Sequence, residues 1–215
     1  MSSKAFYIAY DGPALENNQM AVKDLAPALL ALSDLFDEAN KVLNGSKADI
    51  RLDVKGTFKS GCFGIDLIVV QDLLASLINF LPSREAISTA ADICEVLAFC
   101  GGSTMGLISV LRRLKGRKIK RIDAIDKKAV IYVDEEQIET EIAVIELLRN
   151  SRAREAVDAS IAQPLEKEGI ETVAFTDTPA DPNSFCTIRA EEAAYFKAPI
   201  IEDEELEHIE YETNV

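Results

Sequence analysis

The feature that most constrains the fold is an amphipathic segment near the N-terminus, DLAPALLALSDLFDEANKVLNG at residues 24–45. Its apolar residues recur at intervals of three and four, which places them along one side of an α-helix. These residues are Leu25, Leu29, Leu32, Phe36, Ala39 and Leu43. Asp24 is the predicted N-cap and Asn44-Gly45 the predicted end, so the pattern predicts a helix over 24–43. A helix of about 20 residues extends about 30 Å, enough to cross a whole domain.

Two runs with alternating apolar residues follow this helix and predict a β-hairpin. ADIRLDVKGTF (48–58) and CFGIDLIVV (62–70) flank a short Gly-containing turn, and alternation with period two is typical of half-buried strands. Cys62 stands between glycines, as in the turn that presents a catalytic nucleophile. That turn joins a strand to a helix, whereas this one leads into a strand, and the only histidine, His208, lies in an acidic tail. We therefore interpret Cys62 as an apolar strand residue.

The remaining patterns predict an α+β fold. Further strands are expected near 4–10 and 170–176, and apolar helices over 72–114. AVIYVDEEQIET, within 129–140, predicts a second hairpin in which Val130 and Tyr132 oppose Ile138. Strands and helices are interspersed without repeated βαβ units, which favours a mixed or antiparallel sheet with β-hairpins. One long amphipathic helix and a cluster of apolar helices are expected to pack on this sheet. We expect a single domain over 1–197, followed by an acidic tail over 198–215.

Composition and cysteine content favour a cytoplasmic protein. The chain has 215 residues, of which 48% are apolar and 28% charged, as in ordinary globular domains. Its first residues, MSSKAFYIAYDG, lack the basic-then-apolar pattern of a secretory signal. The four cysteines show no framework spacing, which indicates reduced thiols.

The sequence carries no motif of a metal, nucleotide or covalent-catalysis site. It contains no CxxC, HExxH, GxGxxG or Walker A pattern, and such patterns supply the ligands or the phosphate-binding backbone that these sites need. Cys94 and Cys100 are six residues apart and would face opposite sides of a helix. We therefore expect no cofactor, no metal and no catalytic activity, with a metal-free carboxylate enzyme as the residual alternative.

Charge is distributed unevenly along the chain. The net charge is −14, yet residues 112–128 carry nine Lys or Arg against two Asp. The candidate partner-binding residues are Arg112, Arg113, Lys115, Arg117, Lys118, Lys120 and Arg121. They suit an acidic protein partner or this chain's own tail, where residues 200–215 carry seven acidic groups. The alternatives are a solvated helix end and nucleic acid, which the acidic overall charge and the absence of interleaved aromatic residues disfavour.

An apolar run, VLAFCGGSTMGLISVL at 96–111, precedes this basic stretch. A basic flank beside an apolar helix is an arrangement that anionic membranes attract. However, a helix of this length would reach about 24 Å, less than the roughly 30 Å core of a bilayer, and Gly101-Gly102 interrupts it. A buried helix–Gly–Gly–helix hairpin is the favoured interpretation, and an interfacial or oligomer-forming element is the alternative.

The order of these features resembles a family of uncharacterised bacterial proteins found in chromosomes and mobile elements. The resemblance rests on YDG, LAPALLALSDLFDEANKVLNG, GCFGIDL and RRLKGRK, and it extends through QPLEKEGIE and EEAAYF to about residue 197. It implies that longer members continue into a small Trp-containing β domain, so that residues 198–215 are either a tail or the start of such a domain. It implies no activity and no functional residue.

Together these observations predict a non-catalytic binding or assembly module. We expect it to contact a macromolecular partner, or a second copy of itself, through the apolar helical segment 96–114 and the basic stretch 112–121. The alternatives are a protein of the membrane surface and an acidic inhibitor that imitates a polyanion and is encoded by a mobile element.

Overall fold

Two antiparallel sheets and a set of helices form an α+β fold, as the sequence predicts. The computed structural model describes residues 1–15, 17, 19–55, 63–73, 87–99, 105–176 and 186–198. The strands are β1 (Ser2–Asp11), β2 (Ala48–Lys55), β3 (Phe63–Leu73), β4 (Arg121–Ile125), β5 (Lys128–Val133), β6 (Glu136–Glu141), β7 (Thr172–Thr176) and β8 (Cys186–Arg189). The helices are α1 (Val22–Asn44), α2 (Ala90–Leu97), α3 (Leu107–Leu114), α4 (Ile142–Arg149), α5 (Ser151–Val157) and, after a π-helical stretch (Asp158–Ala162), α6 (Gln163–Leu165). Short 3-10 helices lie at Pro13–Leu15 and Ala190–Phe196.

The larger sheet has five strands in the order β2-β3-β1-β7-β8. β1 is central because it pairs with β3 on one side and with β7 on the other. The predicted hairpin is confirmed as β2 and β3, with Ile50 opposite Gln71 and Val54 opposite Leu67. The strands predicted near 4–10 and 170–176 are confirmed as β1 and β7. Cys62 lies outside the described residues.

The amphipathic helix is confirmed as α1. Its predicted stripe packs on the core, with Leu32 and Phe36 fully buried. The predicted start was wrong by two residues, because the helix begins at Val22 and Ala21, in an extended conformation, precedes it without a side-chain cap. Asp24 instead lies in the first turn and pairs with Lys167, Oδ1 to Nζ at 3.0 Å. Gly45 ends the helix at φ 58°, a left-handed conformation that suits glycine.

Four phenylalanines join the helices to the sheet. Phe99 lies at the centre of this cluster, with ring centroids 5.8 Å from Phe6, 5.8 Å from Phe36 and 4.2 Å from Phe175. Each of the four side chains is almost completely buried. Because they come from β1, α1, β7 and the residues after α2, the cluster fixes the position of both helices on the sheet.

The second sheet contains the predicted second hairpin and one strand that the sequence did not predict. It has three strands in the order β4-β5-β6. The second hairpin predicted within 129–140 is confirmed as β5 and β6, although Ile131, and not Val130 or Tyr132, lies opposite Ile138. The two-residue turn Asp134-Glu135 joins them, and Asp134 takes φ 53°. β4 was missed, because its residues begin within the stretch interpreted only as a basic surface. Arg121 is therefore a strand residue.

The apolar segment before the basic stretch belongs to the core. α2 and α3 lie within the range 72–114 predicted as helical, although Asp72 and Leu73 are part of β3 and Gly101-Gly102 lies outside the described residues. Val96, Phe99, Leu107, Ile108, Val110 and Leu111 are buried. In the described ranges no helix has both the length and the apolar character that crossing a bilayer requires.

A chain of hydrogen bonds around Ser88 connects α1, the sheet and α2. Asn44 donates to the Ser88 carbonyl at 3.0 Å and accepts from the Ser88 N–H at 2.9 Å. Gln71 also donates to that carbonyl, at 2.7 Å, and accepts from the Ser2 hydroxyl at 2.8 Å. The Ser2 oxygen in turn accepts from the N–H of Ala90, the first residue of α2. Side chains of β1, α1 and β3 thus link the start of the larger sheet, the end of α1 and the start of α2.

The π-helical stretch has a local chemical cause in Pro164. Proline has no N–H, so the carbonyl of Ser160, four residues earlier, receives no helical hydrogen bond from it. The N–H of Gln163 instead donates to Asp158, a spacing of five residues. The Tyr10 hydroxyl donates to the Ser160 carbonyl at 3.4 Å. Tyr10 is fully buried, and burial raises its pKa well above the ordinary value, so this hydroxyl stays protonated and able to donate.

Tyr10→Phe should lower the free energy of unfolding by about 1 kcal/mol, because it leaves the buried Ser160 carbonyl without a donor. Pro164→Ala restores an N–H four residues after Ser160, so the same tyrosine change should cost less in that background. Urea unfolding of the four chains of this double-mutant cycle measures the difference. An equal cost in both backgrounds would show that the proline does not explain the tyrosine contact.

Candidate functional site

The seven predicted cations are distributed around the C-terminal end of α3. The helix ends at Leu114, and Lys115 (φ 53°) and Gly116 (φ 71°) reverse the chain in left-handed conformations. The chain then continues through residues 117–120 into β4. This reversal separates the cations into two groups, one facing the turn between β5 and β6 and the other facing β8.

The first group binds acidic residues of the β5–β6 hairpin. Arg113 Nε lies 2.5 Å from Glu136 Oε1, and Arg117 Nη2 lies 2.8 Å from Glu136 Oε2. Arg117 and Lys120 also approach Asp134, at 3.4 and 3.7 Å. Hydrogen bonds from Arg117 and Arg113 hold the pKa of Glu136 below its ordinary value. These cations therefore fasten the turn of the small sheet to the end of α3.

Two further cations lie next to the small sheet. The Arg121 guanidinium lies 4.4 Å from the ring centroid of Tyr132, and its Nη2 donates to Asp123 at 2.9 Å. Lys118 is exposed on the loop before β4 and has a partner of its own. Most residues of the predicted basic surface thus contact other residues of this chain.

The second group centres on Arg112, which joins α3 to β8. Arg112 Nε lies 2.7 Å from Glu192 Oε1, and Nη2 donates to Glu192 Oε2 at 2.9 Å. The same Nη2 donates to the carbonyl of Thr187. Glu192 also accepts from the N–H of Arg189 at 3.0 Å. Burial raises the pKa of Glu192, but the hydrogen bonds from Arg189 and Arg112 outweigh it and hold the pKa below its ordinary value.

This ion pair closes one edge of the larger sheet. β8 is an edge strand, and edge strands present N–H and C=O groups that can pair with another chain. Thr187 and Arg189 are two residues apart, so their backbone groups point in the same direction along the ladder. The carbonyl of Thr187 binds Arg112, and the N–H of Arg189 binds Glu192. The two side chains thus take the place of a neighbouring strand.

A cavity of about 510 Å³ lies beside this ion pair, and we name it the α3–β8 groove. Its lining residues are Arg112, Lys115, Thr187, Arg189, Glu191, Glu192 and Tyr195. Lys115 and Arg189 are exposed, and Tyr195 is half-buried. Two accessible cations beside a phenol suit a carboxylate or phosphate group. Sequence reasoning found Arg112 and Lys115 but missed Arg189 and Tyr195, which lie more than 70 residues away and show no charged run.

Two other cavities are lined by residues of both charges. A cavity of about 740 Å³ between α2 and the small sheet is lined by both acids and lysines, among them Asp92, Glu95, Lys127 and Lys128. A cavity of about 430 Å³ between α1 and α5 is mainly acidic and includes Asp34, Asp37 and Glu155 beside Lys41 and Arg152. Of these three cavities, the α3–β8 groove is the one lined by candidate cations of the stretch 112–121.

The described cysteines are buried, and no metal cluster accompanies them. Cys94 and Cys186 are free thiols, and burial, which outweighs the nearby Arg112, raises the pKa of Cys186. A raised pKa keeps a thiol protonated and unreactive. Among the residues that the structure describes, no group of three or more His, Cys, Asp or Glu is placed to hold a metal ion. His208 and the acidic tail lie outside them.

No protein-family model, curated protein or solved structure matches this chain. The resemblance to a bacterial family therefore stays a prediction from the quoted motifs.

Arg112→Ala should lower the free energy of unfolding by about 2 kcal/mol, because it removes charged hydrogen bonds and leaves Glu192 half-buried without its partner. Lys115→Ala, three residues away, is the matched control and should change it by less than about 0.5 kcal/mol. Urea unfolding at neutral pH compares the two variants. Equal losses would show that the Arg112 ion pair does not hold β8.

The same ion pair predicts a dependence on pH. The pKa of Glu192 in the folded chain lies below the ordinary value of 4.5, so its stabilising effect is complete above that value and is lost as the pH falls through the folded pKa. The difference in free energy of unfolding between wild type and Glu192→Gln should therefore be largest near neutral pH and shrink below pH 4.5. Glu191→Gln, the same change at an exposed neighbour, controls for net charge. A difference that stays constant with pH would contradict the assignment.

Proposed function

We propose that the protein is a non-catalytic binding module whose α3–β8 groove holds an acidic segment of a macromolecular partner. The observation that carries this proposal is that two exposed cations, Lys115 and Arg189, line one groove together with Tyr195. Arg189 lies 3.7 Å from the exposed Glu191, an ion pair that remains open to solvent. Most other cations of the predicted basic stretch are engaged with acids of this chain. Among the described residues, Lys115 has no ion pair.

The balance of charge favours a short acidic segment over a long polyanion. The groove contains three cations and also two acids, Glu191 and Glu192, so its net positive charge is small. Nucleic acid binding draws on many phosphate contacts at once, and the net charge of −14 opposes the approach of an extended polyanion. A few carboxylates on a peptide need only the local contacts that Lys115 and Arg189 can make.

In this proposal the apolar segment 96–114 positions the groove and does not itself contact the partner. Its described apolar side chains, including Val96, Leu107 and Leu111, are buried, so binding through them would require the core to open. The same burial argues against the membrane-surface alternative, which needs those side chains at the lipid interface. α3 contributes instead by placing Arg112 and Lys115 at its C-terminal end beside β8.

Lys115→Glu should weaken binding of a fluorescent oligo-glutamate peptide by about fivefold at low salt, because an attractive charge becomes a repulsive one at the groove. Lys23→Glu, the same reversal at an exposed position of α1, is the matched control and should leave the affinity unchanged. Fluorescence anisotropy measures both. Arg112 is unsuitable for this test, because its loss would also release β8.

Two further probes separate the alternatives. Duplex DNA and vesicles of anionic lipid, tested under the same conditions, should bind more weakly than the peptide. Equal weakening by Lys23→Glu, or no peptide binding by wild type, would overturn the groove as the site. Tighter binding of DNA or of vesicles would replace the acidic peptide with that class of partner.

A further inference from the structure

The two edge strands of the larger sheet differ in length and in which of their backbone groups are bound by side chains. At one edge, β8 has four residues, and the Arg112–Glu192 pair binds two of its outward backbone groups, the carbonyl of Thr187 and the N–H of Arg189. At the opposite edge, β2 has eight residues, and the Asn40 amide takes the carbonyl of Ala48 at its very start. An edge strand of this length is a template for pairing with another strand.

The side chains of β2 separate cleanly by charge between its two faces. Asp49, Arg51, Asp53 and Lys55 alternate in sign along one face, and all four are exposed. Ile50, Leu52 and Val54 lie on the other face, towards α1 and the core. Val54 remains 55% exposed, which makes it one of the few large apolar side chains at the surface of the described ranges.

The charge pattern of β2 is complementary to that of a second copy of β2 running in the opposite direction. If a second copy of β2 pairs antiparallel about Leu52, Asp49 faces Lys55 of the second copy and Arg51 faces its Asp53. The two-fold axis repeats both pairs, so all four cross-strand pairs on this face join opposite charges. On the other face Leu52 meets Leu52, and Val54 meets Ile50 of the second copy, which covers the exposed valine. Opposite charges and apolar pairs are the cross-strand contacts that stabilise sheets.

The neighbouring registers are disfavoured. A ladder can shift only by an even number of residues if outward backbone groups are to meet outward groups. A shift of two in one direction places Arg51 opposite Arg51 and Asp49 opposite Asp53 of the second copy. A shift of two in the other direction places Asp53 opposite Asp53 and Arg51 opposite Lys55. Like charges directly opposite destabilise a sheet, so the charges favour the register centred on Leu52 over these two neighbours. A shift of four joins opposite charges again but pairs fewer residues of the eight-residue strand.

The neighbouring strand, β3, leaves the negative charge of Asp49 only partly neutralised within the chain. On β3, Asp72 lies directly opposite Asp49, so two like charges face each other within the chain. Arg51 partly offsets them, because its guanidinium lies 3.5 Å from Asp72 and 3.1 Å from Asp53. Lys55 of a second copy would add the missing cation on the free side of Asp49.

We propose that β2 is a homodimerisation surface, in which two copies pair antiparallel about Leu52 to form one continuous ten-stranded sheet. The interface is isologous, since each copy contributes the same strand. The proposal does not depend on the α3–β8 groove, which lies at the opposite edge of the sheet.

Charge reversals at the central pairs test the register. Arg51→Asp places aspartate opposite Asp53 of the second copy at both symmetry-related pairs, and Asp53→Arg places arginine opposite Arg51. Each variant alone should weaken the dimer by about tenfold or more. Sedimentation velocity over about 1 µM to about 1 mM protein measures the dissociation constant in this range. Arg189→Asp makes the same charge change on the opposite edge strand and should leave the dimer unchanged.

Mixing the two variants provides the decisive comparison. In a heterodimer of Arg51→Asp with Asp53→Arg, both central pairs join opposite charges again, so the mixture should dimerise more tightly than either variant alone. The doubly swapped chain, with both changes, should also regain wild-type affinity. These restorations require folded chains, so they separate loss of the interface from loss of the fold.

Three results would overturn the proposal. A wild-type chain that stays monomeric at the highest concentration would show that the alternating charges only protect the edge from pairing. A wild-type dimer that Arg51→Asp leaves unchanged would place the interface elsewhere. A weakened variant that its complement does not restore would exclude the register centred on Leu52.

Discussion

The arrangement of α1, the larger sheet and α2 depends on the hydrogen bonds that meet at Ser88. Asn44 and Gln71 are nearly completely buried, and a buried amide without partners costs more than a made hydrogen bond contributes. Both amides reach the Ser88 carbonyl, at 3.0 and 2.7 Å, and a slip of either element would leave them unpaired. Apolar packing alone tolerates small shifts, so these polar contacts are what fix the relative register of helix and strand.

The same logic of satisfying backbone groups explains the basic residues around α3. Arg112 and Glu192 complete the ladder at β8, where the sheet would otherwise present free donors and acceptors. Arg113 and Arg117 fasten the β5–β6 turn through Glu136. A run of cations in the sequence is therefore, for the most part, a set of structural contacts. The part of it that we propose for a partner is the smaller groove that Lys115 and Arg189 line.

Local periodicity predicts much of the fold but little of the site. α1 and the β2–β3 hairpin were predictable because their burial repeats along a few consecutive residues. β4 was not, because Ile122 is its only buried residue and its neighbours carry the charges of the basic stretch. The Arg112–Glu192 ion pair was not predictable for a different reason. The two residues are 80 apart in the sequence, and only the folded topology brings them together. The sign of a charge can be read from a sequence, but its partner requires the fold.

The two proposed surfaces have a joint geometric consequence. β2 and β8 are the opposite edges of one five-stranded sheet, so pairing through β2 places the two β8 strands at the outer edges of a ten-stranded sheet. Nine strand spacings of about 4.8 Å separate them by about 43 Å along the sheet. Two α3–β8 grooves at that separation could engage two acidic segments of one partner, and the second contact would then form at a high effective concentration. Weak, nearly balanced charge in each groove would in that case suffice, because affinity would come from the pairing of copies and not from a single site.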